Sequence, residues 1–486
     1  MKYKAYKRIA LFILSAFLCI YVEGRGMLSV HATMEELQEQ AEARKSLAVQ
    51  TNNIENWPEG PLIGAQSAVL IEANTGVILY AKNMDEKCYP ASTTKIMTCL
   101  VAAEHVNLDE KITFSHDAVF SIGRGTSNIG MDVGEAITFE EALYGIMVGS
   151  ANEVANAVGE HVAGSRDAFA EMMNEKAEEL GCKNTHFTNA HGLHDDKHYT
   201  SAYDLAIIAR AFFQNELLAK VANMDKYYFK ATTTQPDEFM LSNKHKLVYG
   251  EIAYDGILGG KTGYTDSARQ TLVTCAQRDG MKLICVIMKE ESPEQFYDTV
   301  KLFDYGFTNF HVANIAENET RYSIDSPNFF QTGNDVFGSS KPILSLNADN
   351  YLIMPRTVNF EDLSSEISFE TDIEGAIAEI KYEYHDAYVG MATIDYAVNE
   401  QSLYDFDRNI TETEEEIEEQ GSSEKIVFIN IKNVLIAIVI VAAVLIIFIL
   451  LTSYIRSYSF SGKSRNRSRR KRRKRRMPSQ FDKFKF

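Results

Sequence analysis

At 486 residues the chain is long enough for several folded units with sizeable cores, and a 45% hydrophobic content excludes a wholly disordered polypeptide. Its 67 acidic against 49 basic side chains give a net charge of −18, which argues against nucleic acid as a partner. Six cysteines, none at metal-ligand spacing, predict free and mostly buried thiols, because a chain this large needs no disulfide staples.

The N-terminus reads as an export signal. Lys2, Lys4, Lys7 and Arg8 precede the apolar run Ile9 to Val22, and Val30-His31-Ala32 offers small residues for cleavage, so residues 1–32 form the expected signal peptide. Residues 33–60 are polar and helix-prone as far as Trp57-Pro58 and read as a spacer. From Leu62 the pattern becomes globular. Ser67 to Glu72 and Val77 to Tyr80 read as a hairpin across Asn74-Thr75-Gly76. Ile96 to Val106, apolar nearly all round, reads as a buried helix. Thr138 and Glu141 spell a capping box ahead of a helix carrying Leu143, Ile146 and Met147. Gln270–Cys275 and Lys282–Met288 are expected strands joined through Arg278-Asp279-Gly280. Strands at both ends with helices between predict one α/β domain over 61–310.

Short alternating runs such as Ala376 to Tyr382 then predict a small β-domain over 311–400. An acidic linker follows over 401–433, rich in glutamate from Glu412 to Glu419, and is expected to be solvated and repelled by anionic headgroups. Val434 to Leu451 is uncharged and long enough to cross a bilayer, so 434–454 is an expected transmembrane helix. The tail 455–486 holds fourteen basic residues against one acidic residue, Asp482. Positive residues stay in the cytoplasm, which predicts a single-pass protein of the cell membrane with its bulk outside.

Three motifs carry chemistry. Ser92-Thr93-Thr94-Lys95 places a hydroxyl and an amine one helical turn apart. A serine is a poor nucleophile until a base takes its proton, and an amine in an apolar helix is pushed toward its neutral form, so Lys95 is a credible base for Ser92. Ser150-Ala151-Asn152 follows Gly149 and offers a relay hydroxyl and an amide. Lys261-Thr262-Gly263 follows Gly259-Gly260, where a glycine-bearing strand lets a peptide backbone approach a cation and a hydroxyl. Each has an ordinary explanation alone, as an N-cap, a helix start and a surface turn. A Ser-x-x-Lys recurs by chance roughly twice in a chain this long. The order and wide spacing give the set its force: together these residues equip covalent acyl transfer on an amide. His191, His194 and His198 lie close together but match no helical zinc pattern, and Gly192 with Asp195-Asp196 makes a loop, so no metal is expected.

With these residues the chain resembles the D-alanyl-D-alanine carboxypeptidases among the low-molecular-mass penicillin-binding proteins. The likeness extends to Tyr89-Pro90-Ala91 before Ser92, to Leu143 through Ser150, to Asn184 through Phe187, to His191-Gly192-Leu193, to Tyr199 through Asp204, and to Gly260 through Thr265. It implies a β-lactamase/transpeptidase-like catalytic domain, an antiparallel sheet flanked by a helical region, followed by a small β-sandwich-like domain. It also implies roles. Ser92 attacks the carbonyl between the terminal D-alanines of a peptidoglycan stem pentapeptide, Lys95 takes the proton, and Ser150 helps pass it to the departing D-alanine. Asn152 positions the peptide, Lys261 and Thr262 engage the terminal carboxylate, and Gly263 and Tyr264 complete the binding strand. The N–H groups of Ser92 and Tyr264 form the oxyanion hole. β-Lactam antibiotics would acylate Ser92, and no cofactor is needed. A D,D-endopeptidase, a β-lactamase, or an inactive membrane-tethered wall-binding protein are the alternatives. Ser-Ala-Asn in place of Ser-Asp-Asn speaks against the β-lactamase. Ala151 and Arg269 stand where glycine is commoner, and Ala190 where proline is usual. The expected membrane crossing replaces the amphipathic C-terminal helix of many relatives.

Overall fold

The computed structural model describes residues 34–321 and 344–396. The expected signal peptide, acidic linker, apolar run 434–454 and basic tail lie outside the described residues, and among the described residues no helix is long and apolar enough to cross a membrane.

Helix α1 (Met34–Lys45) opens the described chain, followed by the hairpin β1 (Ser67–Glu72) and β2 (Ile78–Lys82). A 3-10 turn (Ala91–Thr94) runs into α2 (Lys95–Ala103), which is buried along nearly its whole length, as its apolar sequence predicts. Next come β3 (Lys111–Thr113), α3 (His116–Phe120), β4 (Ala136–Thr138) and α4 (Phe139–Met147). The expected capping box is present: Thr138 Oγ1 accepts from Glu141 N at 3.1 Å, and Glu141 Oε2 accepts from Thr138 N at 2.7 Å. The helical region continues through α5 (Asn152–Ala163), α6 (Arg166–Glu179), α7 (Ala202–Gln214) and α8 (Glu216–Ala222). Hairpin β5 (Lys226–Phe229) and β6 (Phe239–Ser242) and the short α9 (Lys246–Tyr249) lead to β7 (Ile257–Thr265), β8 (Arg269–Arg278) and β9 (Met281–Glu290).

The main sheet is antiparallel, in the order β2-β1-β9-β8-β7. Successive side chains on a strand point to opposite faces, and here both faces are covered. Val69, Ile71, Val273, Cys275, Ile284 and Val286 join the core shared with α2, α4 and α7. Ala68, Leu70, Leu272, Ala276, Leu283, Cys285 and Ile287 join the core under α10 (Glu294–Asn309). This explains why the strands read as continuous apolar runs. Strand β7 lies at the sheet's edge, and among the described residues no strand covers its outer side.

The segment over 33–60 is more than a spacer. Val49 and Trp57 are buried, the Trp57 indole N–H donates to Leu79 O at 3.0 Å, and Arg44 donates to Gly64 O at 2.8 Å. Its few apolar residues have no periodicity, so nothing in the sequence marked them as core.

In the C-terminal part, strands β10 (Phe310–Asn314), β11 (Leu344–Leu346), β12 (Tyr351–Pro355), β13 (Ser364–Ser368), β14 (Ala376–Tyr384) and β15 (Ala387–Tyr396) are joined by hydrogen bonds into one antiparallel six-stranded sheet among the described residues. Leu352, Ile353, Ile380, Tyr382 and Val389 belong to the same buried cluster as Phe303 and Trp57. Trp57 and Phe310 rings sit 5.3 Å apart in this cluster.

Candidate active site

The nucleophile segment is wound tightly. Ala91, directly before Ser92, adopts φ +49°, a left-handed conformation that costs a residue with a Cβ about 1 kcal/mol or more. Side chains on either side hold it. Thr94 Oγ1 donates to Ala91 O at 2.8 Å, and Thr93 Oγ1 and Thr271 Oγ1 both donate to Pro90 O, at 2.7 and 2.8 Å. Ala91, Thr93 and Thr94 are buried, while Ser92 stays partly exposed.

Lys95 follows as the first residue of α2 and is 0% exposed. Its Nζ lies 3.2 Å from Ser92 Oγ, 2.6 Å from Asn152 Oδ1 and 2.8 Å from His191 O. Burial, and then the charge of Lys261, push the Lys95 ammonium well below its ordinary range. In the neutral amine, Asn152 and His191 take the two N–H groups. The remaining lone pair then faces the Ser92 hydroxyl. Burial favours the neutral amine, and the two acceptors orient it toward Ser92.

The second motif begins between α4 and α5. Ser150 takes φ +58° and is buried, and Asn152 opens α5 with its N–H on Ser127 O at 3.0 Å. The third motif lies on β7. Lys261 Nζ donates to Ser150 Oγ at 3.0 Å and to its own strand at Thr262 O at 2.9 Å. Burial, and next the nearby Lys244, hold Lys261 down at about 7. The three motifs thus meet in one site through two linked pairs, Lys95 with Asn152 and Lys261 with Ser150.

Gly263 brings β7 against the nucleophile. A Cβ there would stand 2.3 Å from Thr271 Oγ1 and 2.8 Å from Ser92 N, so only glycine allows this approach. Tyr264, 49% exposed, forms the rim beyond it. Its hydroxyl bonds Asp266 Oδ1 at 3.0 Å and accepts from Arg269 at 3.3 Å. Arg269 has φ +54°, the conformation that glycine would take without strain, and its guanidinium forks onto Glu291 with the closest contact at 2.6 Å. Arg44 reaches the same carboxylate at 3.4 Å, so the segment before residue 60 braces the rim of the site.

Several contributors escaped the sequence analysis. Lys244 donates to Ser127 Oγ at 3.0 Å and adds a third lysine near Lys95 and Lys261. Glu153, buried beside Asn152, accepts from Ile129 N at 2.6 Å and Gly130 N at 3.2 Å, and burial raises its carboxyl above the ordinary value. None of these sits in a motif, and only the adjacency of Glu153 to Asn152 gave a signal. His191 and His198 belong to the site's wall: His191 offers its carbonyl to Lys95, and His198 pairs with Thr94 at 2.8 Å. All five described cysteines are free, four of them buried.

Comparison with known proteins points the same way. Residues 54–292 match the family model of the Peptidase_S11 D-alanyl-D-alanine carboxypeptidases. The chain is 37% identical over 252 residues to D-alanyl-D-alanine carboxypeptidase DacF of Bacillus subtilis, covering 51% of this chain and 63% of that protein. It is 31% identical over 308 residues to D-alanyl-D-alanine carboxypeptidase DacA of Escherichia coli, covering 62% of this chain and 73% of that protein. Penicillin binding protein 5 of Haemophilus influenzae superposes with a TM-score of 0.55 at 25% identity, over 70% of this chain and 98% of the other. Penicillin binding protein 6B of Escherichia coli gives 0.52 at 25% identity, over 70% and 97%. A serine and a lysine within hydrogen-bond reach, on a transpeptidase-like α/β fold, and a match that includes all three motifs place this chain in the D-alanyl-D-alanine carboxypeptidase family of serine peptidases.

Proposed function

We propose that the chain is a serine-type D-Ala-D-Ala carboxypeptidase that removes the terminal D-alanine from peptidoglycan stem pentapeptides through an acyl-enzyme on Ser92. The observation that carries this reading is the Lys95 amine, buried and held by two acceptors with its third direction on Ser92 Oγ at 3.2 Å. Lys95 removes the hydroxyl proton as Ser92 Oγ bonds the carbonyl carbon between the two D-alanines. The oxygen that becomes negative is received by the N–H groups of Ser92 and Tyr264, in the usual large electrostatic contribution to acyl transfer. The C–N bond then breaks, and the proton taken by Lys95 is passed through the Ser150 hydroxyl, itself bonded to Lys261, to the leaving amine, which leaves Lys95 a free base again. Water, activated by the same lysine, hydrolyses the ester and frees Ser92. Lys261 and Thr262 hold the terminal carboxylate, and the open side of β7 receives the peptide as an added strand, with Asn152 on its opposite flank.

β-Lactams enter this scheme as substrate mimics that acylate Ser92. The apolar run 434–454 beside a basic tail supports a single-pass anchor in the cell membrane, with the catalytic part outside and the tail in the cytoplasm. External protease on intact cells should remove the catalytic part and spare the tail.

The test is direct. The purified protein should release D-alanine from a stem pentapeptide. Mass spectrometry after penicillin treatment should locate the drug on the peptide containing Ser92, and Ser92→Ala should abolish both signals. Neither release nor adduct in the unmodified protein would refute the proposal.

A further inference from the structure

We propose that His198 is a positioning residue for the nucleophile, acting through Thr94 on the carbonyl of Ala91. This rests on Ser92 being the acylated serine. His198 is 2% exposed and lies in the loop that begins at Thr188 and returns along the wall of the site. Its Nδ1 accepts from the Thr188 backbone N–H at 3.0 Å, which leaves Nδ1 unprotonated. The proton of the neutral ring is then on Nε2, 2.8 Å from Thr94 Oγ1, and is donated to it. Thr94 has one hydroxyl proton, and it goes to Ala91 O at 2.8 Å. The hydrogen bonds therefore run in one direction, from Thr188 N–H through imidazole and hydroxyl to a single backbone carbonyl.

That carbonyl belongs to the residue strained at φ +49° immediately before Ser92. The same loop also lies directly against it. Gly192 sits so close that a Cβ there would lie 1.8 Å from Ala91 O and 2.8 Å from Thr94 Oγ1. One residue earlier, His191 O fixes Lys95 Nζ at 2.8 Å. Nucleophile and base are thus registered against one loop. His198 keys that loop to the turn that carries Ser92. The imidazole touches no reacting atom, so its work is geometric, and a displacement of about 1 Å at the reacting oxygen is enough to slow the chemistry a hundredfold.

The experiment follows acylation by a fluorescent penicillin in the full chain carrying Thr94→Val, Thr94→Ser, His198→Gln and the double variant Thr94→Val/His198→Gln. Thr94→Val keeps the shape of the side chain, so the turn stays packed. The expected result is acylation slower by about tenfold to a hundredfold in Thr94→Val with unchanged affinity for the unreacted drug. Thr94→Ser should be close to the unmodified rate, and the double variant no slower than the slower single variant, because both act through one path. Acylation of either Thr94→Val or His198→Gln within twofold of the unmodified protein overturns the proposal, even if its melting temperature falls. Losses that multiply in the double variant overturn it as well. If the unmodified protein does not react with penicillin at all, the functional reading falls first and takes this one with it.

Discussion

Lys95→Ala should slow the acylation of Ser92 by about a thousandfold while the protein stays folded. The lysine contributes general-base catalysis, worth about 10² to 10⁴ in rate, and a factor of 10³ corresponds to about 4 kcal/mol of barrier. The lower end of that range is excluded because the Ser92 hydroxyl has no second base: Lys95 Nζ at 3.2 Å is its one side-chain hydrogen-bond partner among the described residues. Stability should move much less. Removing the amine strands Asn152 Oδ1 and His191 O, bonded at 2.6 and 2.8 Å, at a cost of about 1–3 kcal/mol each. It also removes the penalty of a fully buried amine, which offsets much of that loss. Lys95→Arg should be as slow as Lys95→Ala, because a guanidinium stays protonated and cannot act as a base. Stopped-flow acylation with a fluorescent penicillin gives the rate, and thermal melting checks the fold. Acylation of Lys95→Ala within tenfold of the unmodified rate would refute the assignment of the base.

Three further expectations come from the same geometry. Lys261, held at about 7 by burial and then by Lys244, loses its charge as pH rises through 7, so kcat/KM for a substrate with a free terminal carboxylate should fall there. A C-terminal amide should show no such fall, Lys244→Met should move it to higher pH, and a pH profile common to both substrates would count against the carboxylate role. Gly263→Ala pushes a methyl against Thr271 Oγ1 and Ser92 N, so acylation should drop by about tenfold or more for a stability loss of about 1–3 kcal/mol. Normal acylation in that variant would show that β7 does not need its close approach. His191, His198 and His245 are each held down at about 3, chiefly by burial, against 6.5 for the ordinary group. Below pH 6.5 the unfolded chain therefore binds protons that the native fold refuses, and stability should fall by about 1.4 kcal/mol per pH unit for each such histidine until pH 3. Urea midpoints that stay level from pH 7 to pH 4 would contradict this.

The residues proposed to do the chemistry were legible in the chain because acyl transfer demands particular atoms at particular local spacings. Ser92 and Lys95 are one turn apart, so a helix alone brings them together. The capping box at Thr138 and Glu141 and the turn through Asp279-Gly280 are local in the same sense, and each formed where the sequence placed it. What tertiary structure decided is everything that depends on distant neighbours. Nothing near Lys95 in sequence announces that Asn152 and His191, far along the chain, will take its two protons and aim its lone pair. The histidines 191 and 198, unremarkable as metal ligands, gain their meaning only when their loop closes on Ala91. Trp57 and Arg44 looked like spacer because packing, not periodicity, makes them core. The core around the C-terminal sheet is decided in the same way, because Ile380 and Tyr382 join a buried cluster that also holds Trp57 and Phe303. Local geometry is encoded in runs of adjacent residues. Burial, orientation of a base and the lowering of its proton affinity are properties of the assembled interior.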